Sequence, residues 1–482
     1  MRSRHMTKII SLGIYLILIY VNKMRGVFHM SSLKAFFNES IANRDPEVSS
    51  TIRNEITRMS EGLELIPSEN VVSLAVLNAL GSVFTNKYSE GYPKKRYYGG
   101  NENVDEVEQL AIDRAKKLFG VPHANVQPYS GSPANMAVYF AVCNPGDTIM
   151  GHNLPDGGHL THGWKVNFSA KFYKSVPYHV KSDGYLDLEE IRRLALEHKP
   201  RLMWCGATAY TREFPFEDFA KIADECGAYF AADVAHISGL IAGGAHKSPV
   251  PYAHIITTTT HKTLRGPRGA MILVTEKGLK KDPELADKID KAVFPGLQGG
   301  PHDHQTAAIA VALGEALKPE FKDYAHQIVK NSRALATAMM KKGLKLVTNG
   351  TDNHMILLDL TPYGKGKGIF VQEALDLANI TLNKNTIPAD PSSPFYPSGV
   401  RLGTPAVTTR GLKEKEMEFI ADWIYRVVET VKLYQLPEDK AKIKEYLAKF
   451  RDEIKGNAEI AKVKGEVKEF CKGFPLYVGL SY

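Results

Sequence analysis

Apolar positions along this chain fall into two rhythms. Between about residues 61 and 320, short apolar runs alternate with stretches of helical spacing. Residues 229–232 and 270–274 are short apolar runs, and 254–258 sets two isoleucines beside β-branched threonines; all three have the length expected of buried strands. Residues 104–119 repeat apolar positions at three- and four-residue spacing, with Asn103 placed as a cap and Gly120 as a stop, which predicts a helix. Residues 216–226, ending at Gly227, read the same way. Strand alternating with helix predicts an α/β fold with a mostly parallel sheet and helices on both faces. In such sheets ligands bind beyond the carboxyl ends of the strands. Candidate chemistry is therefore sought just after each apolar run.

Outside that stretch the pattern changes. Residues 31–60 predict an N-terminal arm with a helix through 46–59. Beyond about residue 320, segments 324–342 and 370–378 have helical spacing, 355–360 reads as a strand, and long helices run from 413 to the end. This divides the chain into a large domain over 61–320 and a smaller C-terminal α+β domain over 321–482. Residues 438–464 are heavily charged and predict a solvated helical surface.

Residues 9–21 form a nearly unbroken apolar run, interrupted by Ser11 and Gly13 and preceded by Arg2, Arg4 and Lys8. The run is short of the roughly 20 residues that span a bilayer. It resembles a signal-peptide core, but Asn22, Lys23, Met24 and Arg25 follow instead of a small-residue cleavage site. The reading favoured here is translation from Met24 or Met30, which leaves residues 1–30 as an extension or apolar leader outside the fold. A mature chain retaining residues 9–21 would contradict it.

Composition narrows the picture. With 482 residues and 44% hydrophobic content, the chain can bury a large core in more than one lobe. The formal charge of +8, from 61 Lys and Arg against 53 Asp and Glu, suits a cationic site for anionic ligands. A stripe of basic residues interleaved with aromatics is missing from the sequence, so nucleic acid is not expected as a partner; nor is a membrane. Cys143, Cys205, Cys226 and Cys471 are scattered with no CxxC pair. That argues against a disulfide framework or a metal cage and fits the reducing cytoplasm.

Four motifs carry candidate chemistry. Residues 255–262, IITTTTHK, run from a strand into hydroxyls and then Lys262. Taken alone, Lys262 reads more often as a surface lysine. In a pocket that lowers its pKa it becomes a nucleophile toward an aldehyde. Residues 231–236, AADVAH, place Asp233 at the end of an apolar strand. The bland reading is a cap or a structural salt bridge; the sharper one is a partner for a protonated pyridine nitrogen. The spacing from Asp233 to Lys262 matches one strand-to-strand crossover, so both reach one crevice. Residues 129–135, YSGSPAN, introduce a helix whose free N–H groups and small hydroxyls suit a phosphate. Pro133 in the first turn costs no hydrogen bond. Residues 156–163, DGGHLTHG, offer His159 and His162. An imidazole can stack on a flat ring. Two histidines three apart also suggest a metal, but no third ligand cluster accompanies them in the sequence, and no metal is expected.

Together these motifs resemble the serine hydroxymethyltransferase family. The resemblance rests on TTTTHKTLRGPRG at 257–269, LIPSEN at 65–70, TNKYSEGYPKKRYYGG at 85–100, YSGSPAN, DGGHLTHG, FPGLQGGPH at 294–302 and SGVRLGTPAVTTRG at 398–411, in order from about residue 31 to about 430. It implies the fold type I architecture of pyridoxal-phosphate (PLP) transferases: a mostly parallel, mixed central sheet with helices on both faces and a smaller C-terminal α+β domain. It also implies PLP as cofactor, serine, glycine and tetrahydrofolate as substrates, and a homodimer or tetramer with shared active sites. By resemblance, Lys262 holds the cofactor as a Schiff base, Asp233 meets the pyridine nitrogen, and His159 stacks on the ring. His236 and Thr208 contact the ring hydroxyl. Ser130, Gly131 and Ser132, with Thr259 or His261, surround the phosphate, and Tyr88, Gly299 and Gly300 approach the phosphate of the neighbouring subunit. Arg401, assisted by Ser68, receives the amino-acid carboxylate, for which a planar guanidinium is the natural partner. Glu90 is the acid/base near the serine hydroxyl, with Tyr97 and Tyr98 beside it. Leu154, Gly158, Leu160 and Asn385 line the pteridine site.

Thr208 stands where the family usually has serine, Pro133 where it has glutamine or alanine, and residues 280–291 look like an insertion. Rival readings are a threonine aldolase or acyl-transferring synthase of the same fold, or a basic RNA-binding scaffold. The first two lack the NKYSEGYP and Asn383-Lys384-Asn385 patterns; intact Lys262, Asp233 and Arg401 argue against the third.

Overall fold

The computed structural model describes residues 36–480 and Tyr482. The apolar run at 9–21 and the alternative starts at Met24 and Met30 lie outside the described residues. The chain divides into two units, one of residues up to Ser60 together with Tyr477–Tyr482, the other Glu61–Leu476. In the first, the expected arm helix runs Pro46–Glu61, with proline at the first position where its missing N–H is no loss. Ser49 Oγ and Arg53 Nη1 donate to the Tyr482 carbonyl at 3.0 and 2.8 Å.

The second unit is built on a seven-stranded sheet. Its strands in chain order are β1 (His123–Asn125), β2 (Thr148–His152), β3 (Lys174–Tyr178), β4 (Leu202–Cys205), β5 (Tyr229–Asp233), β6 (Ile255–Thr259) and β7 (Ala270–Val274). Their spatial order is β1-β7-β6-β5-β4-β2-β3. Neighbours are parallel except at β7, which runs against both β1 and β6. The expected strands at 229–232, 254–258 and 270–274 are all present, shifted by at most one residue. Successive residues alternate between two buried faces. Met203, Phe230, Ala232, Ile256 and Met271 pack on one side against Phe216, Phe219 and Ile222 of a helix. Leu202, Trp204, Ala231, Ile255 and Ile272 pack on the other against Ala134, Val138 and Tyr139. A sheet covered on both faces favours apolar residues on both sides of a strand, which is why β4, β5 and β7 read as nearly unbroken runs, while β6 passes from two isoleucines into three buried threonines.

The helix expected at 104–119 begins two residues early, at Glu102, with Asn101 rather than Asn103 in the cap position. Glu102 and Asp105 occupy its first turn, where negative charge meets the positive end of the helix. The Asn101 amide donates back to the Tyr98 carbonyl at 2.8 Å, closing the preceding turn. Gly120 ends the helix at φ 69°, as expected of a left-handed stop.

A second sheet of four antiparallel strands follows: β8 (Lys345–Leu346), β9 (Met355–Asp359), β10 (Asn383–Asn385) and β11 (Gly399–Gly403), in the order β8-β9-β11-β10. Its core includes Ile356, Leu358, Val400 and Leu402 with Phe370, Ile420, Ile424 and Val427 from surrounding helices. The charged stretch expected as a solvated helical surface is helical and mostly exposed, and its other face also contributes to this core. Helices Ile443–Lys455 and Ala458–Cys471 bury Leu447, Phe450 and Ile454, then Ile460, Val463 and Val467. Each such side chain contributes about 1.5–3 kcal/mol. The abundance of charge masked a narrow apolar stripe at helical spacing.

Candidate active site

The carboxyl ends of β5 and β6 meet at one crevice. The strands pair in parallel with Asp233 opposite Thr257. Apolar residues pin both strands inside the sheet, so Asp233 and the 260–262 turn are where the chain first escapes it. Gly206, just past β4, leaves room for this: a Cβ there would lie 2.4 Å from the Asp233 carbonyl oxygen. A cavity of about 350 Å³ opens at this edge, lined by Ser68, Gly131, Leu154, Gly158, His159, Leu160, His162, Ala207, Thr208, Asp233, Ala235, His236, Thr259, Lys262, Asn385 and Arg401.

Lys262 donates from Nζ to Thr259 Oγ1 at 2.8 Å. Burial lowers its pKa to about 8, the Asp233 carboxylate pulling it up while Arg268 and Arg401 press it down. At pH 7 roughly a tenth of the amine is therefore unprotonated, far more than for an ordinary lysine. Asp233 is held from three sides. Its Oδ2 accepts from Asn135 Nδ2 at 2.9 Å and from His162 Nε2 at 3.1 Å, and its Oδ1 accepts from the Ala235 N–H at 3.1 Å. Burial opposes ionisation, but His162, His159 and Asn135 together keep the carboxyl below its ordinary range.

His159 Nδ1 lies 2.7 Å from Thr161 Oγ1, which itself accepts from Asn135 Nδ2 at 2.8 Å. The Thr161 N–H also donates to that nitrogen, at 3.3 Å. Nδ1 is thus an acceptor and Nε2 carries the proton. Burial, with His162 and Lys262 nearby, drops the pKa of His159 to about 4, so the ring is neutral. Arg401 comes from β11 of the second sheet. Its Nε donates to Asn383 Oδ1 at 3.1 Å and an Nη1 donates to the Thr208 carbonyl. Burial lowers its pKa to about 10, yet it stays charged at neutral pH. Among the described residues it pairs with no carboxylate. A buried cation with free donors facing a cavity is a site for an anion.

The chain is similar to known proteins over most of its length. A family model described as serine hydroxymethyltransferase matches residues 41–424. A serine hydroxymethyltransferase of Paracoccus denitrificans (strain Pd 1222) is 54% identical over 447 residues, 92% of this chain and 99% of that one. One of Sorangium cellulosum (strain So ce56) is also 54% identical over 432 residues, 89% of this chain and 95% of that one. The chain belongs to the serine hydroxymethyltransferase family. Its α/β architecture is that of the fold type I PLP enzymes.

Serine hydroxymethyltransferases are PLP-dependent and use tetrahydrofolate as co-substrate. The cavity's donors fit that cofactor. An ionised carboxylate faces a lysine amine across it, a neutral imidazole lies at its wall, and the start of the helix Gly131–Val142 closes one end. There a Cβ on Gly131 would sit 2.8 Å from Thr259 Cγ2, so glycine spares the helix start a clash with that methyl group. His261 Nδ1, buried beside Lys262, has no partner.

Of the residues expected from the sequence, Lys262, Asp233, His159, His236, Thr208, Thr259, Gly131, Arg401, Ser68, Leu154, Gly158, Leu160 and Asn385 all line the cavity. Ser130, Ser132 and His261 adjoin it along the chain without lining it. The Thr208 hydroxyl donates to the carbonyls of Gly157 and Gly158 at 3.2 and 3.1 Å, which leaves its lone pairs for the cavity. Tyr88, Glu90, Tyr97, Tyr98, Gly299 and Gly300 are not among its lining. They gather elsewhere: Tyr88 Oη donates to Glu90 Oε1 at 3.3 Å, Tyr88 and Tyr98 meet edge to face at 5.1 Å, and Tyr129 Oη donates to the Gly300 carbonyl at 2.7 Å.

Sequence reasoning missed several groups that hold the site. Asn135 and Thr161 lie inside recognised motifs, but their partners are set only by folding. Asn70, the last residue of LIPSEN, donates to the Lys262 carbonyl at 2.8 Å. His162 stacks on Trp204 at 5.2 Å and 12° and points at Asp233. The expectation that no third ligand stands beside His159 and His162 is corrected: ligand atoms of Asp233 and both histidines lie within 4.8 Å of one another. The long sequence separation hid that grouping.

Proposed function

We propose that the Lys262 cavity carries out the family's reaction, the reversible conversion of serine and tetrahydrofolate to glycine and 5,10-methylenetetrahydrofolate. What carries this reading is the union in one cavity of a lysine with pKa about 8, an ionised Asp233 and an unpaired Arg401. PLP, when bound, supplies an aldehyde for amines and a ring that accepts the electron pair of the substrate's breaking bond.

The protein's own residues do the rest. Lys262 would hold the cofactor's aldehyde through its partly neutral amine. Asp233 keeps the ring nitrogen protonated, and His162 and Asn135 hold that carboxylate in place. His159 covers a ring face as a neutral imidazole. Ser130, Gly131 and Ser132, with Thr259 and His261, receive the phosphate at the helix start. Arg401 and Ser68 fix the substrate carboxylate, which orients the bond to be cleaved. Leu154, Gly158, Leu160 and Asn385 receive the pteridine. Such positioning contributes up to roughly 7–11 kcal/mol to lowering a barrier.

Glu90 serves as the proton carrier for the serine hydroxyl, with Tyr97 and Tyr98 alongside it, and acts in the cavity of a second copy of the chain. Tyr88, Gly299 and Gly300 meet the phosphate of that copy. Supporting this is their clustering on exposed aromatics apart from their own Lys262, with Tyr88, Tyr97 and Tyr98 at 55%, 79% and 49% exposure. The active form is then a homodimer or a tetramer of such dimers. Among the described residues no helix is long and apolar enough to cross a membrane. The four cysteines are free, which favours the cytoplasm as the site of action.

Complementation tests both the assignment and the shared site. Lys262→Ala and Glu90→Gln homodimers should each lose folate-dependent serine cleavage. Mixed by co-expression, they should recover about a quarter of native activity, one intact site per heterodimer in half of the dimers. No recovery despite heterodimer formation would overturn the shared site, and native turnover by Lys262→Ala would overturn the assignment.

A further inference from the structure

Lys262 is anchored at its carbonyl as well as at its amine. The carbonyl accepts from the Arg265 N–H at 3.0 Å, which closes a turn, and from Asn70 Nδ2 at 2.8 Å. Asn70 Nδ2 also donates to Tyr324 Oη at 2.7 Å. Asn70 Oδ1 accepts from the Val71 N–H at 2.9 Å and from Thr409 Oγ1 at 2.7 Å. We propose that Asn70 is a positioning residue for Lys262, and that Tyr324 and Thr409 act on the lysine through it.

The orientation of the amide follows from its partners. Both Nδ2 protons and both Oδ1 lone pairs are used. Turned over, Oδ1 would meet the Lys262 carbonyl oxygen and Nδ2 would meet the Val71 N–H. Each is a pair of like groups that cannot bond, so Nδ2 faces Lys262. Thr409 Oγ1 also lies 3.1 Å from Tyr324 Oη. Asn70, Tyr324 and Thr409 thus form a triangle of hydrogen bonds, and its one outward arm is the bond to Lys262.

The turn requires such a hold. Arg265 sits at φ 58°, a left-handed conformation that a side chain disfavours. Its guanidinium lies over the Tyr324 ring at 4.4 Å, a cation–π contact. Tyr324 therefore secures both ends of the turn, the Lys262 carbonyl through Asn70 and Arg265 through its ring. Strained backbone persists where its surroundings over-determine it. Without Asn70 the Lys262 carbonyl loses its donor from outside the turn, and the lysine gains freedom to leave Thr259. The anchors come from distant segments. Asn70 ends the LIPSEN motif, Tyr324 lies in the helix Pro319–Lys341, and Thr409 ends the helix Pro405–Thr409 just beyond β11, which carries Arg401. The placement of Lys262 stands on this geometry. That it serves PLP capture rests on the functional reading above.

Trace labelling of the cofactor-free full chain with acetic anhydride over a pH series tests the proposal, with label on Lys262 read by peptide mass spectrometry. In the native chain Asp233, Arg268 and Arg401 face the amine, with the neutral imidazoles of His159, His236, His261 and His354. Its labelling midpoint should lie at about 8. Asn70→Leu should raise that midpoint to at least about 9, toward the ordinary lysine value, as the amine escapes burial and the two arginines. PLP capture at pH 7 should slow about tenfold, because the neutral fraction falls by that factor. Tyr324→Phe and Thr409→Val should move the midpoint the same way by less, and neither should add to Asn70→Leu. A general loss of stability would leave the midpoint in place. A folded Asn70→Leu chain with an unmoved midpoint overturns the proposal, and so does a Thr409→Val effect that adds in full to that of Asn70→Leu. If Asn70→Leu does not fold, Tyr324→Phe decides, since it keeps the ring under Arg265 and loses only the hydroxyl: a raised midpoint supports the role of Asn70, and an unmoved one overturns it. Failure of the native chain to capture PLP would sink the functional reading instead, and the labelling would still decide what Asn70 does.

Discussion

Arg401→Lys is the substitution whose effect the structure specifies most closely. A guanidinium has five N–H groups. Nε is engaged by Asn383 Oδ1 and one Nη1 proton by the Thr208 carbonyl, which leaves three facing the cavity for the two oxygens of a carboxylate. A lysine ammonium keeps a point charge but cannot present two parallel donors while holding those anchors. The loss is about one charge-assisted hydrogen bond, roughly 1.5–3 kcal/mol, or about 10- to 150-fold in kcat/KM for serine. Burial also works against the substitute. It already lowers Arg401 to about 10, and the same burial acts on a group that starts some two units lower. The assay is steady-state serine cleavage at saturating tetrahydrofolate, with PLP retention followed by absorbance. The expected result is a fall in kcat/KM for serine with PLP retained. An unchanged kcat/KM for serine, or a loss confined to tetrahydrofolate, would refute the assignment of Arg401 to the substrate carboxylate.

Three further outcomes are expected. The neutral amine of Lys262 is the reactive form, and burial places its folded pKa at about 8 rather than 10.5; PLP recapture by cofactor-stripped enzyme should therefore accelerate as pH rises through about 8 and level off above it. A rate flat from pH 7 to 9 would contradict this. His162→Phe keeps a ring against Trp204 but removes a donor to Asp233, and PLP affinity measured by equilibrium dialysis should fall about tenfold; unchanged affinity would show that His162 does not support that carboxylate. Arg96 donates from Nη1 to the carbonyls of Ser89 and Gly91, on either side of Glu90, and from Nη2 to the buried Glu108 at 2.7 Å. Arg96→Gln should destabilise the fold by roughly 3–5 kcal/mol, read by denaturant unfolding, and a loss below about 1 kcal/mol would mean the network relaxes around the gap.

The sheet was legible because β5, β6 and β7 are buried on both faces, so apolar and β-branched runs marked them to within a residue. Asp233 was legible as the first polar residue beyond its run, and Lys262 only through the motif around it, since five polar residues separate it from the isoleucines of β6. The helix start at Glu102 was misplaced because Asn101 and Asn103 are both plausible caps, and only the turn closed by Asn101 onto Tyr98 distinguishes them. The amphipathic stripes at 443–455 and 458–471 were hidden under abundant Lys and Glu. Within the site, most residues that face the cavity were found, and the contacts that hold them were not. Asn135, Thr161 and His162 act through partners up to 98 residues away, and no local pattern records such distances.

Borohydride reduction of the PLP-loaded enzyme, followed by peptide mass spectrometry, most directly tests the claim that one buried amine holds the cofactor. The pyridoxyl group is predicted on the peptide containing Lys262 and on no other lysine. Label on a different lysine, or none at all despite bound PLP, would contradict the account.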